Sequence, residues 1–169
     1  MMRTRAERGL ATVEFAIAGL LTLTLLFATM EFSRLLYTWN ALTDATRRGA
    51  RLAAVCSPAV GQQVAVKRVT RWLRPNGDDT GIGFPGLVET NVKVRYFDIN
   101  GVEIADAVPT AARQRVQFVQ VAIEGYELPL FIPGFDLRIP MPAFQTTLPS
   151  ESLGLVPSNA GSTDCTTPS

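Results

Sequence analysis

The chain has 169 residues, 47% of them hydrophobic, and a net charge of +1. It therefore reads as one domain, or one domain with an appendage, and its charge implies no nucleic-acid partner. Histidine is absent and the only cysteines are Cys56 and Cys165, which excludes Ser-His-Asp and Cys-His catalytic sets, an HExxH zinc site and a closely spaced cysteine pair for zinc.

Residues 1–9, MMRTRAERG, form a short polar head containing Arg3, Arg5 and Arg8. From Leu10 to Met30 the only charge is Glu14, and the polar interruptions are threonines and Gly19. That stretch of 21 residues reaches about 30 Å as a helix, enough to cross a bilayer core. The pattern changes at Glu31. Phe32, Leu35, Leu36, Trp39, Leu42, Thr46, Gly49, Ala50 and Ala53 recur at helical spacing, with Arg34, Asp44, Arg47, Arg48 and Arg51 mostly on the other side. No proline interrupts before Pro58, so one helix is expected, apolar all round in its first half and amphipathic in its second.

A second helix is expected at 62–73, where Ala65, Val69, Trp72 and Leu73 share a face and Pro75-Asn76-Gly77 supplies the stop. Lys67, Arg68, Arg71 and Arg74 make it basic. A solvated outer face is the expected reading, with contact to a membrane surface or nucleic acid as the alternative. The loop at 76–86 holds Asp78 and Asp79. It lacks the alternating ligands and closing glutamate of an EF-hand, so a polar turn is expected there and no metal site. Neither GxxxxGK[ST] nor GxGxxG occurs, and no cofactor and no enzymatic activity are expected.

Strand signals follow. At 92–98, Val92, Val94 and Tyr96 alternate against Lys93, Arg95 and Phe97, and Asn100-Gly101 marks a hairpin turn. A second strand is expected at 115–124. A third candidate at 137–148 carries Pro140 and Pro142, which confine it to an edge or to extended coil. The segment from Pro149 reads as a flexible tail. The expected class is α+β. A long transmembrane-to-amphipathic helix packs, through its face from Phe32 to Ala53, on a small antiparallel sheet.

A basic leader, then Gly9, then Glu14 five positions on, then an apolar run, resembles a type IV prepilin cleavage site. More narrowly, VEFA at 13–16, EFSR at 31–34 and GARLA at 49–53 resemble the TadE-like family of the tight-adherence pilus system, as does VQVAIEGYELPLFIPGFDLRIPMPAF at 119–144. The resemblance implies a pilin-like organisation: a leader over 1–9, a transmembrane helix over 10–30, an amphipathic helix and α+β head over 31–148, and a tail over 149–169. It implies a minor pilin or pseudopilin, cut between Gly9 and Leu10 by a prepilin peptidase. Glu14 and Phe15 would serve assembly with other pilus subunits and the inner-membrane assembly platform. The function implied is filament assembly and surface adhesion.

The expected location is the inner membrane, as a single pass with a cytoplasmic N-terminus and a periplasmic or extracellular head. The positive-inside rule alone is close to a tie, because Arg34, Arg47 and Arg48 oppose Arg3, Arg5 and Arg8. The cleavage motif breaks the tie, since its leader must be cytoplasmic. The alternatives are an uncleaved signal anchor carrying a periplasmic binding or scaffold protein, and a cleaved secretory signal. Against the latter, the apolar run is long and no A-x-A site follows. Cys56 and Cys165 would then both face an oxidising compartment and are expected to pair; two separate thiols are the alternative.

Overall fold

The computed structural model describes residues 5–74, 83–107, 109–131, 136–154 and 165. Asp78, Asp79 and Pro75-Asn76-Gly77 lie outside them, as does most of the tail. Helix α1 (Arg5–Val55) runs unbroken for 51 residues, as the absence of proline allows. Helix α2 (Val60–Thr70) follows. Strands β1 (Val92–Phe97), β2 (Phe118–Ile123) and β5 (Phe144–Pro149) form one antiparallel sheet in the order β1-β2-β5, and β3 (Glu127–Pro129) pairs with β4 (Arg138–Pro140). A one-turn helix, α3 (Thr110–Arg113), precedes β2. The class is α+β. Two compact units divide the chain, residues 1–38 and 39–169.

In the second unit, strand alternation builds the core. Register places Val92, Ile123 and Phe144 in one cross-strand row, Val94, Val121 and Thr146 in the next, and Tyr96, Val119 and Leu148 in a third. Because side chains alternate across a strand, these rows share one face. Against that face lie the last turns of α1, with Leu42, Ala45, Ala50 and Ala53 fully buried and Thr46 nearly so. The Thr46 and Thr146 hydroxyls meet at 2.9 Å, and Trp39 packs edge-on against Phe144. The cover starts later than the amphipathic pattern promises: Phe32 is 62% exposed and Leu36 47%. The opposite sheet face is mixed, with Lys93, Arg95, Gln120, Gln145 and Thr147 beside Ala122 and the row of Phe97, Phe118 and Pro149. There Arg95 holds Glu124 through two guanidinium bonds of 2.7 and 3.1 Å. This pairing, more than anything else, raises the Arg95 pKa and lowers that of Glu124.

Helix α2 folds back along α1. Gly49 makes the close approach possible: a Cβ there would collide with Thr70 Oγ1 and come within 3.2 Å of Val121. α2 stops at Thr70, short of the 73 expected, because its end is a Schellman turn: Leu73 N–H donates to Arg68 O at 2.9 Å and Trp72 N–H to Val69 O at 3.0 Å. Trp72 takes the left-handed position, φ 62°, usually given to glycine. Its ring is held beneath the Arg48 guanidinium, 3.9 Å from the ring centroid, and edge-on to Phe84.

After β5, residues 151–154 are hydrogen-bonded to the end of α1. Glu151 N–H donates to Ala54 O, and Gly154 N–H to Val55 O at 2.7 Å. They satisfy carbonyls that the end of α1 leaves open. Gly154, at φ +77°, lies so close to Ser57 that a Cβ would stand 2.9 Å from the Ser57 Cβ. Cys56, after α1, is joined to Cys165 by a disulfide with the Cα atoms 6.0 Å apart, and Cys165 N–H donates to Gln62 Oε1.

Candidate functional site: the N-terminal helix

The first unit offers an apolar helical surface with one exception. Leu10, Val13, Ile17, Leu20, Leu21, Leu23, Leu25, Leu26 and Phe27 are each more than half exposed, and Phe15 is 80% exposed. No part of the apolar stretch is buried within the protein. Surface of this kind is stable only against lipid or another apolar body. The helix is long and apolar enough to cross a membrane.

The helix also meets the hydrogen-bonding demand of a hydrocarbon environment. The Thr22 hydroxyl donates to Ala18 O, Thr24 to Leu20 O, Thr29 to Leu26 O and Ser33 to Thr29 O, each at 2.8 Å. At the end of the apolar stretch, Arg34 pairs with Glu31 at 2.9 Å, one helical turn away, so those charges offset each other.

Glu14 is the exception. Among the described residues its carboxylate has no hydrogen-bond or ion-pair partner. It shares one face with Leu10, Val13, Ile17, Ala18 and Leu21. Leu10 precedes it by four residues, one turn along the same face. Phe15 points about 100° round the helix from Glu14, onto a different face. Gly9 lies within the second turn of α1, with nothing near its α-carbon on the side where a Cβ would stand. All four residues are exposed at the start of the apolar stretch, with Phe15 on a different face from Leu10 and Glu14. Cys56 and Cys165 are remote from them in sequence and belong to the second unit. The charge set against an apolar background was visible in the sequence. The Arg48–Trp72 contact and the capping of α1 by residues 151–154 were not, because both join residues distant in sequence.

No curated protein and no solved structure matches the chain. Residues 9–51 match the family model described as TadE-like protein. The match begins at Gly9, spans the apolar stretch with Glu14, and ends just past Gly49. The TadE-like family is not one of enzymes. Residues 9–51 are thus similar to the TadE-like family, and α1, which holds them, is a candidate membrane anchor.

Proposed function

We propose that the protein is a minor pilin or pseudopilin of the tight-adherence pilus, cleaved between Gly9 and Leu10 and then assembled through Glu14. The supporting observation is the lone carboxylate of Glu14, one turn after Leu10 on an exposed apolar helix face. A charge at the centre of a membrane helix costs about 2.5–3.5 kcal/mol on insertion scales, less near an end. Glu14 lies near the start of the span, where that cost is small. Cleavage creates an α-amino group on Leu10, and the new helix start adds the positive end of its dipole. The Glu14 carboxylate then has a cation to meet, on its own chain or on a neighbouring subunit. In a packed bundle of such helices an unmatched charge is strongly unfavourable, so the pairing selects correct neighbours.

The leader would lie on the cytoplasmic side of the inner membrane, where the prepilin peptidase acts, and the head in the periplasm or outside. The Gly9–Leu10 bond lies inside α1 in the uncut chain, so cleavage requires the first turns to unwind. Gly9, a poor helix former, favours that opening. The partners are the peptidase, other pilus subunits and the assembly platform, and the output is filament assembly and surface adhesion. The intact mass of the protein recovered from membranes tests the first step. A chain beginning at Leu10 is expected; a retained leader would instead mark an uncleaved signal anchor holding a periplasmic scaffold.

A further inference from the structure

The exposed apolar surface of α1 does not stop where the apolar stretch does. Met30 ends that stretch, and Glu31 and Arg34, paired at 2.9 Å, mark the level at which charge returns. Charged groups keep to the edge of a bilayer's hydrocarbon, so the lipid chains end near them. Yet Phe32 and Leu36, at that level and beyond it, are exposed. Leu36 stands about 9 Å past Met30 along the helix axis. Large apolar side chains in that polar zone call for a cover of protein. The two residues continue a line that begins within the apolar stretch. Phe15, Thr22, Leu25, Thr29, Phe32 and Leu36 follow one another at steps of seven, three or four, the 3.5-residue period at which helices wind together. All six are exposed and none is charged. The two threonine hydroxyls donate to Ala18 O and Leu26 O of their own helix, so they need no outside acceptor. The line ends at Leu36, because the next position on it, Trp39, packs against Phe144.

We propose that this line is the seam of a parallel homodimer, covered by the same line on a second copy of the chain. Three observations select that occupant. Two copies anchored in one bilayer run parallel and at equal depth, so like positions meet. Phe32 then covers Phe32 and Leu36 covers Leu36, where the lipid chains no longer reach. The repeat runs for three heptads from Phe15 to Leu36, and a second copy matches it in register throughout. The seam carries no charge, so a twofold axis along it brings no like charges together. Membrane helices associate by packing, and seams of this period cross at about +20° as in soluble coiled coils. Thr22 and Thr29, smaller than Leu25 and Phe32, let the two backbones approach. Glu14 is not on the seam, and its carboxylate stays available for the assembly contact. The inference rests on the membrane anchor of the proposed function, and not on cleavage or on Glu14.

The test uses the uncut full chain in vesicles of phosphatidylcholine and phosphatidylglycerol at a low protein-to-lipid ratio. Cys56 and Cys165 are joined, so one added cysteine is a free thiol without a rival. Leu25→Cys, Phe32→Cys and Leu36→Cys lie on the seam, and Leu20→Cys and Phe27→Cys lie on the far side of the helix. Copper-phenanthroline oxidation followed by non-reducing electrophoresis reads the dimer. Fast cross-linking at the three seam positions and little at the other two is expected. Phe32→Ala with Leu36→Ala removes side chains that are exposed in the single chain, so its fold is spared. That double change should weaken the dimer about tenfold, read from the cross-linked fraction of Leu25→Cys as lipid is added. Equal cross-linking at all five positions, cross-linking confined to positions 20 and 27, none at any position, or an unaffected dimer in the double variant would overturn the proposal. A chain that does not enter the vesicles removes the anchor, and with it both this inference and the pilin reading. A chain that enters but does not pair through the seam overturns this inference alone.

Discussion

The hydroxyls of Thr46 and Thr146, on the last turns of α1 and on β5, lie 2.9 Å apart across the core. Thr46 also lies 2.9 Å from Thr43 O, and that carbonyl can only accept. The Thr46 hydrogen therefore goes to Thr43, and Thr146 donates to Thr46. Removing the donor by Thr146→Val should destabilise by about 1 kcal/mol, because Thr46 keeps its own bond. The double change Thr46→Val with Thr146→Val should cost less than the sum of the single changes, since no polar partner is left behind. A double-mutant cycle by denaturant titration in detergent measures this; strict additivity would show the pair uncoupled.

Gly49 has no room for a methyl group. Gly49→Ala should destabilise by about 1–3 kcal/mol through overpacking against Thr70 and Val121. Adding Thr70→Ala removes the nearest obstructing atom and should recover part of the loss. Thermal melts of the single and double variants check it, and a double variant less stable than Gly49→Ala would contradict the contact.

The disulfide closes a loop with a sequence separation of 109. On the chain-entropy account a loop of that length stabilises by about 4–5 kcal/mol. Cys165→Ser should therefore lower the melting temperature while leaving the Glu151–Gly154 contacts to α1 in place. Thiol labelling of the denatured, unreduced protein should find no free thiol. Labelling of both cysteines would contradict the pairing.

Burial pushes the Tyr96 hydroxyl pKa up to about 12, against a small opposing effect of the Arg113 charge. Unfolded tyrosine ionises near pH 10, so between those values the folded chain holds the proton and the unfolded chain does not. The stabilisation is complete below about pH 10 and is lost as pH rises through 12, on the order of 2–3 kcal/mol. Tyr96→Phe should flatten the alkaline limb of a stability–pH curve. An unchanged limb would assign the loss to other groups.

Much of this architecture is legible in the residues. The long helix follows from helical spacing without proline, and the sheet face from the alternation of Val92, Val94 and Tyr96. Asn100-Gly101 turns the chain as expected: Gly101 has φ +76° and Asp98 N–H donates to Val102 O. What escaped the pattern depends on tertiary contact. The end of α2 is a Schellman turn built on Trp72, and no glycine announces it. Glu151–Gly154 look like tail because their partners, the carbonyls at the end of α1, carry no side-chain signal. The helical face from Phe32 is apolar in pattern, yet Phe32 and Leu36 stay exposed, because the covered stretch of α1 starts later. At the candidate site Glu14 was legible, because a carboxylate in an apolar run stands out without any knowledge of the fold.

Glu14 carries the central claim, and the assembly of Glu14→Ala tests it most directly. In a pulse-chase, the variant should insert and lose its leader, since the bond at Gly9 is untouched. Co-purification with the other pilus subunits should then fail, because the neighbouring Leu10 amine has lost its counter-charge. Cleaved Glu14→Ala protein that joins those subunits as the wild type does would contradict the account.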